Sequence, residues 1–210
     1  MTTEQFPDDF FRRADEASDD EFYREPRFVT HIDDATIAAL TDFYRELIPA
    51  GSAVLDLMSS WVSHLPEEVA YQRVSGLGMN SEELAGNPRL DDHLVHDLNS
   101  EPELPYGDAE FEFVTNAVSV QYLTRPVEVF ASVSRVVQPG GTFAVAISHR
   151  MFPTKAVAAW QALSNEDHIR LVAAYFERAG SWEAPQYLDR SPAGADPLWV
   201  IFATRGAGDD

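Results

Sequence analysis

The stretch Phe111-Glu112-Phe113-Val114-Thr115-Asn116, then Pro126-Val127-Glu128-Val129-Phe130, then Arg135-Val136-Val137-Gln138-Pro139-Gly140-Gly141-Thr142-Phe143-Ala144-Val145-Ala146-Ile147-Ser148 decides the fold. The first six residues form a short apolar run and read as a strand. Pro126 opens a helix, because the N–H that proline lacks has no partner at the first helical position. Val129, Phe130, Val133, Val136 and Val137 share one face of it. Pro139-Gly140-Gly141 stops the helix, and 142–148 reads as the next strand. A strand, a helix and a strand in that order imply a parallel pair joined by a crossover.

The same alternation extends upstream and downstream. Ile37, Leu40, Tyr44 and Leu47 fall at helical spacing, with Asp33 or Asp34 as cap and Pro49-Ala50-Gly51 as stop. Ala53-Val54-Leu55-Asp56-Leu57 reads as a buried first strand, 72–77 as a weak second and 93–97 as a third, with a short helix at 81–85. Ile169, Val172, Phe176 and Ala179 mark another helix, which Gly180 ends. The runs 183–189 and 198–204 follow without an intervening helix, so they pair as an antiparallel hairpin. The expected fold is α/β: a doubly wound, seven-stranded, mostly parallel sheet with one antiparallel strand from the C-terminal hairpin. Residues 31–210 read as a single domain. Residues 1–30 read as an acidic N-terminal arm or lid, and through residue 21 as a solvated arm or a short helix that folds over the domain, with the loose arm preferred.

Composition narrows the function classes. The formal net charge is −20, from 35 acidic and 15 basic residues, and Lys155 is the only lysine. That field repels phosphate backbones, so nucleic acid is not expected as a partner. A halophilic, salt-adapted protein has this balance, and so does an acidic protein from a GC-rich genome. There is no cysteine, which removes disulfides and thiolate chemistry. No apolar run is long enough to span a membrane, and Met1-Thr2-Thr3-Glu4-Gln5-Phe6 does not resemble a signal peptide. A cytoplasmic location is the expectation, and the oligomeric state is not legible.

In a doubly wound sheet, ligands bind outside the carboxyl ends of the strands. Polar residues gather at those ends here. They are Asp56 with Met58-Ser59-Ser60-Trp61-Val62-Ser63-His64, then Gly78-Met79-Asn80, Asp97-Leu98-Asn99, Asn116 with 117–122, and His149-Arg150. His93 and His96 are three apart on a strand and so point to opposite faces, and no metal is expected.

Four pieces carry a family resemblance. They are Val54-Leu55-Asp56-Leu57; Asp97-Leu98-Asn99 with Leu104-Pro105-Tyr106-Gly107-Asp108 and Phe111-Glu112-Phe113-Val114; 116–123; and Arg135-Val136-Val137-Gln138-Pro139-Gly140-Gly141. In this order and spacing the chain resembles the class I S-adenosylmethionine-dependent methyltransferases. The likeness is to type 11-like members, in the branch with the ubiquinone and menaquinone C-methyltransferases. The resemblance implies S-adenosylmethionine as cofactor and a small-molecule methyl acceptor. It places Asp56, Met58, Ser59, Ser60, Gly78, Met79, Asn80, Asp97, Leu98, Asn99 and Asn116 around the cofactor, with Asp97 on the adenine amino group.

Two departures stand out. The family's glycine-rich loop is Met58-Ser59-Ser60-Trp61-Val62 here, without glycine. The family's acid at the end of strand two falls on Gly78, so Asn80 or Glu82 is expected to substitute. The hydroxyls of Ser59 and Ser60 are expected to donate to the methionine carboxylate. Trp61 and His64 are expected on one face of a helix after this loop. His149 and Tyr122 are the candidate catalytic residues, and Arg27, His31 and Arg150 the candidate substrate contacts. The alternative is a non-catalytic protein of this fold that binds another ligand or partner.

Overall fold

The computed structural model describes residues 6–7 and 9–207. Most of the Met1–Phe6 stretch read for a signal, and the acidic residues Glu4 and Asp8, lie outside them. Seven strands form one sheet in the order β3-β2-β1-β4-β5-β7-β6. They are β1 (Ala53–Ser59), β2 (Arg73–Gly78), β3 (Asp92–Val95), β4 (Phe111–Ala117), β5 (Val137–Ile147), β6 (Gln186–Asp189) and β7 (Trp199–Thr204). Pairings from β3 through β5 are parallel, while β7 runs antiparallel to both β5 and β6. The order reverses at β1, which has β2 on one side and β4 on the other. That is where a doubly wound sheet opens a crevice.

Alternation along the strands sends side chains to two cores. Leu55 and Leu57 join Val129, Phe130 and Val133 of α4 (Pro126–Val136) and Val172, Tyr175 and Phe176 of α6 (Asn165–Ala179). Val54 joins Leu40, Phe43 and Tyr44 of α2 (Asp34–Leu47) on the other face. Local chemistry fixes the helix starts. Asp33 caps α2 by accepting from the Thr36 N–H at 2.9 Å, and Ser164 caps α6 by accepting from the Asp167 N–H at 3.2 Å. The short helices are α1 (Asp19–Phe22), α3 (Ser81–Ala85) and α5 (Ala158–Ala162).

Several sequence expectations differ from the structure. No helix follows β1: residues 60–72 run as a loop, with Leu65 buried in the α2-side core. Trp61 and His64 therefore share no helical face. Strand five starts earlier than expected, at Val137, and carries Pro139-Gly140-Gly141 as a kink where the β4 register shifts. Strand three ends at Val95, so Asp97 stands in the turn beyond it. Strand six begins only after Pro185, which has no N–H to give a ladder.

The described part of the N-terminal segment packs rather than floats. Phe6 is buried and meets the Tyr175 ring edge-on at 5.8 Å. Lys155 is fully buried, and its ammonium reaches Asp15 and Asp19, each at 3.2 Å, and donates to the Ala17 carbonyl at 2.7 Å. Arg13 donates to both oxygens of Asp19, at 2.7 and 2.8 Å. An acidic stretch reads as solvated until a buried cation elsewhere in the chain is found to hold it.

Candidate cofactor site

A cavity lies over the carboxyl ends of β1, β2, β3 and β4, with about 1120 Å³ of space including its open mouth. Its wall takes in Asp56, Met58, Ser59, Ser60, Gly78, Met79, Asn80, Asp97, Leu98 and Asn99, and also Arg27, His31 and Tyr122. Ten candidates from three strand ends far apart in sequence thus meet three from the N-terminal segment and the region after β4. Asp19, Tyr23, Val29, His64, Glu83, Val118, Ser119 and Phe152 complete much of it.

The floor is the loop after β1. Met58 has φ +57°, the left-handed region that glycine usually fills, and sits at a register shift where Leu57 pairs Leu77 and Ser59 pairs Gly78. A side chain there costs roughly 1–2 kcal/mol, which the surrounding packing must offset. His64 (φ +56°) and Val118 (φ +50°) repeat this strain on the same wall. A Cβ at Gly78 would come closer to the Ser59 carbonyl oxygen than the 3.0 Å that real Cβ atoms respect. The loop thus closes position 78 to any side chain.

The loop's hydroxyls are already engaged. Ser59 donates to Asp56 at 2.5 Å and Ser60 donates to Glu83 at 2.5 Å. A hydroxyl has one proton, so neither is free to donate to a ligand carboxylate as expected from sequence. Asn80 is also fully used. Its oxygen accepts from the N–H groups of Glu82 and Glu83 as the cap of α3, and its amide donates to the carbonyls of Tyr23 and Arg24. Glu82 is exposed and absent from the wall. The buried acid here is Glu83, which the sequence reading missed.

Asp56 lies beneath the floor. Burial pushes its carboxyl up to about 6, against the pull of hydrogen bonds from Ser59, Ser63 and Thr115. Burial lowers His64 to about 4 and also lowers His31, so both imidazoles are neutral at pH 7. Burial raises the phenol of Tyr122, whose oxygen accepts from the Phe152 N–H at 2.8 Å.

The other expected residues fall differently. Asp97 accepts from the Asn99 N–H at 2.9 Å and from Ser100 at 2.7 Å, which shapes its turn. The Asn99 amide donates to Asp19 at 2.8 Å and to the Tyr122 carbonyl at 3.0 Å. Among the described residues Arg27 meets no carboxylate through its guanidinium, which lies 4.5 Å from the Phe22 ring centroid and donates to the Phe22 carbonyl. Asn116 is buried outside the wall and donates to the Leu57 carbonyl at 3.2 Å. His149 and Arg150 also lie outside it. Both turn to buried Asp196, at 3.4 Å and 3.0 Å, which in turn accepts from the Asp33 N–H. They tie β5's end to the start of α2 rather than facing the cavity.

Residues 62–145 match the model of a methyltransferase domain. The match starts at Val62, the last residue of the glycine-free loop. Among solved structures, a [4+2]-cyclase, SpnF, aligns at TM-score 0.60 and 16% identity over 80% of this chain and 81% of that one. The fold is that of the class I methyltransferases. A Haemonchus contortus phosphoethanolamine N-methyltransferase 2 bound to phosphomonomethylethanolamine and S-adenosylhomocysteine aligns at TM-score 0.60 and 13% identity, over 83% and 53%. An S-adenosylmethionine-dependent methyltransferase from Mesorhizobium loti aligns at 0.54 and 16%, over 80% and 98%. No curated protein matches the chain. The matched domain and this fold together imply S-adenosylmethionine as the cofactor. Among the described residues no helix is long and apolar enough to cross a membrane, and no cluster of candidate ligands could hold a metal.

The cavity fits that cofactor in two respects. Leu77, Met79 and Leu98 line it with apolar surface suited to a flat base. The Ser119 hydroxyl, on the same wall, is buried without a partner and so is open to a ligand's polar group.

Proposed function

We propose that this protein is an S-adenosylmethionine-dependent methyltransferase acting on a small molecule. The observation that carries this reading is the single cavity wall formed where β1, β2, β3 and β4 end, roofed by the N-terminal segment. That segment acts as a lid, fastened by Lys155 and Arg13 through Asp19. The motifs at 97–114 and 135–141 support a place near the ubiquinone and menaquinone C-methyltransferase branch.

When bound, S-adenosylmethionine supplies a methyl group made electrophilic by its sulfonium. Leu98 and Asp97 hold the base end, and Asn99 is fixed there by Asp19 and the Tyr122 carbonyl. At the other end His31, His64, Tyr122, Phe152 and Arg27 surround the acceptor. His31 and His64 are neutral; His31 can take a proton from an acceptor's O–H, N–H or acidic C–H, while His64, lowered to about 4, is too weak a base for that and accepts a hydrogen bond. Tyr122 positions the acceptor wall, since its ring stacks on Phe152 and its oxygen holds the Phe152 N–H. Alignment of the acceptor by these groups supplies much of the rate, so no strong acid or base is required.

A second reading, a protein of this fold that binds another ligand and transfers no methyl, is favoured by the internal engagement of Ser59, Ser60 and Asn80. Calorimetric titration of S-adenosylhomocysteine in molar KCl separates the two. Micromolar binding, with Asp97→Ala losing preference over the inosine counterpart, is expected. No heat from folded protein would overturn the first reading and favour the second.

A further inference from the structure

Of the residues that line the cavity, Arg27 is the one arginine or lysine. Its guanidinium lies 4.5 Å from the centroid of the Phe22 ring and 5.8 Å from that of Phe152. Two backbone carbonyls take part of its donor set, Phe22 at 2.8 Å and Glu25 at 3.5 Å. A guanidinium has five N–H donors, so about three stay open. Among the described residues it forms no ion pair, although the chain carries 35 acidic residues against 15 basic. Its charge is felt in the site, because it helps to hold the His31 imidazole below its ordinary range, after burial. An arginine held against aromatic faces, with part of its planar N–H fork unclaimed, presents the geometry that grips a planar anion.

The other charges around it are spent elsewhere. Arg13 and Lys155 stand outside the wall and pair with Asp19. Glu83 accepts from the Arg27 backbone N–H at 2.7 Å and from the Ser60 hydroxyl at 2.5 Å, and forms no ion pair with the guanidinium. One positive charge therefore stands over this end of the cavity. It balances a singly charged group, whereas a dianion would carry a second charge toward the wall carboxylates Glu83 and Asp19. The surface beside the guanidinium is flat and apolar. Phe152 stacks on Tyr122 with centroids 5.9 Å apart, and His31 meets Phe152 edge-on at 5.2 Å. Val29 and Val118 add aliphatic surface to the same wall. A ligand ring packs well in such surroundings.

We propose that Arg27 binds the carboxylate of the methyl acceptor, so that the substrate class is a small planar monocarboxylic acid with its ring laid against Phe152. The open N–H groups of the guanidinium donate to both carboxylate oxygens. The inference rests on the methyltransferase reading and names the substrate class of the same cavity. The cofactor's own carboxylate is a second source of the same chemistry. The guanidinium lies beside Phe152 and near His31, on the side of the cavity away from the β1 floor, which favours the acceptor.

The test is calorimetric binding to the full chain saturated with S-adenosylhomocysteine, in molar KCl to screen the −20 field. The probes are benzoate, phenylacetate and cinnamate, each beside its neutral amide. At least one acid is expected to bind about tenfold or more tighter than its amide, as for a hydrogen bond between charged groups. Arg27→Gln, checked for an unchanged melting transition, is expected to bring that acid to within about threefold of its amide, with S-adenosylhomocysteine bound within about threefold of wild type. Arg27→Lys is expected to keep only part of the preference, because an ammonium lacks the planar fork. No preference for any acid in wild type would overturn the proposal without any variant. A preference that survives in Arg27→Gln would overturn the assignment to Arg27. If Arg27→Gln weakens S-adenosylhomocysteine but not its decarboxylated counterpart, the guanidinium holds the cofactor's carboxylate, and the proposal falls while the methyltransferase reading stands. Failure of folded wild type to bind S-adenosylhomocysteine would overturn both.

Discussion

Two turns at the sheet solve a similar backbone problem in opposite ways. At Pro139-Gly140-Gly141 the left-handed residue is Gly140 (φ +82°), and a Cβ there would meet nothing within 4 Å. At Met58-Ser59-Ser60 the left-handed residue is Met58 (φ +57°), with a full side chain in the cavity wall. The first turn is unstrained and lies outside the cavity wall. The second is strained and forms the floor of the site. Left-handed backbone can come from a residue with no steric penalty or be imposed by its surroundings, and imposition is what functional sites show. The glycine that this loop lacks reappears on the neighbouring strand, at Gly78.

If that comparison holds, Gly78→Ala should be the most damaging of the small substitutions. Its Cβ meets backbone, which cannot swing away as a side-chain tip would. A loss of about 3 kcal/mol or more is expected in denaturant unfolding. A loss below 1 kcal/mol would mean that the bulge moves easily and stores no strain.

Next is the pH dependence beneath the loop. The folded pKa of Asp56 is raised to about 6, so the folded state holds this proton more tightly than the unfolded chain does. Its favourable contribution is present below about pH 4 and is lost as pH rises through 6, on the order of 3 kcal/mol for about two pKa units. His64 is lowered to about 4 and acts the other way: its contribution is present above about pH 6.5 and is lost as pH falls toward 4. The two oppose each other between pH 4 and 6. Asp56→Asn should therefore gain on wild type as pH rises across that window and become more sensitive to acid. Parallel stability profiles for the two proteins would contradict it.

Smaller effects come from the turns themselves. Gly140→Ala should cost about 1 kcal/mol, the left-handed penalty less the entropy it removes from the unfolded chain. Met58→Gly should change stability by less than about 1 kcal/mol, because relief of strain offsets lost packing and added chain entropy. A large loss there would show that Met58 is placed without strain.

The sheet was legible because β1, β4, β5 and β7 contain short apolar runs bounded by turn residues, and because α2, α4 and α6 each present a regular apolar face. What sequence could not give was the fate of polar side chains. Ser59, Ser60 and Asn80 look like ligand contacts until the structure shows their protons and lone pairs already taken by Asp56, Glu83 and backbone. His149 and Arg150 stand at a strand end, as a catalytic pair would, yet Asp196, distant in sequence, draws both aside. The sole lysine was noticed by sequence, but its two aspartate partners were hidden in a stretch that composition marks as solvated. A helix was expected after β1 because the usual crossover has one, and 60–72 contains Pro66 and no sustained apolar period. Glu83 gave one signal, an acid on the helix that follows strand two, three residues after its Asn80 cap.

The most direct test of a floor shaped in advance is a crystal structure with S-adenosylhomocysteine bound. The expected result keeps Met58 left-handed and the Ser59 carbonyl over Gly78, with the ligand seated on that unchanged floor. A loop that rebuilds around the ligand would contradict it.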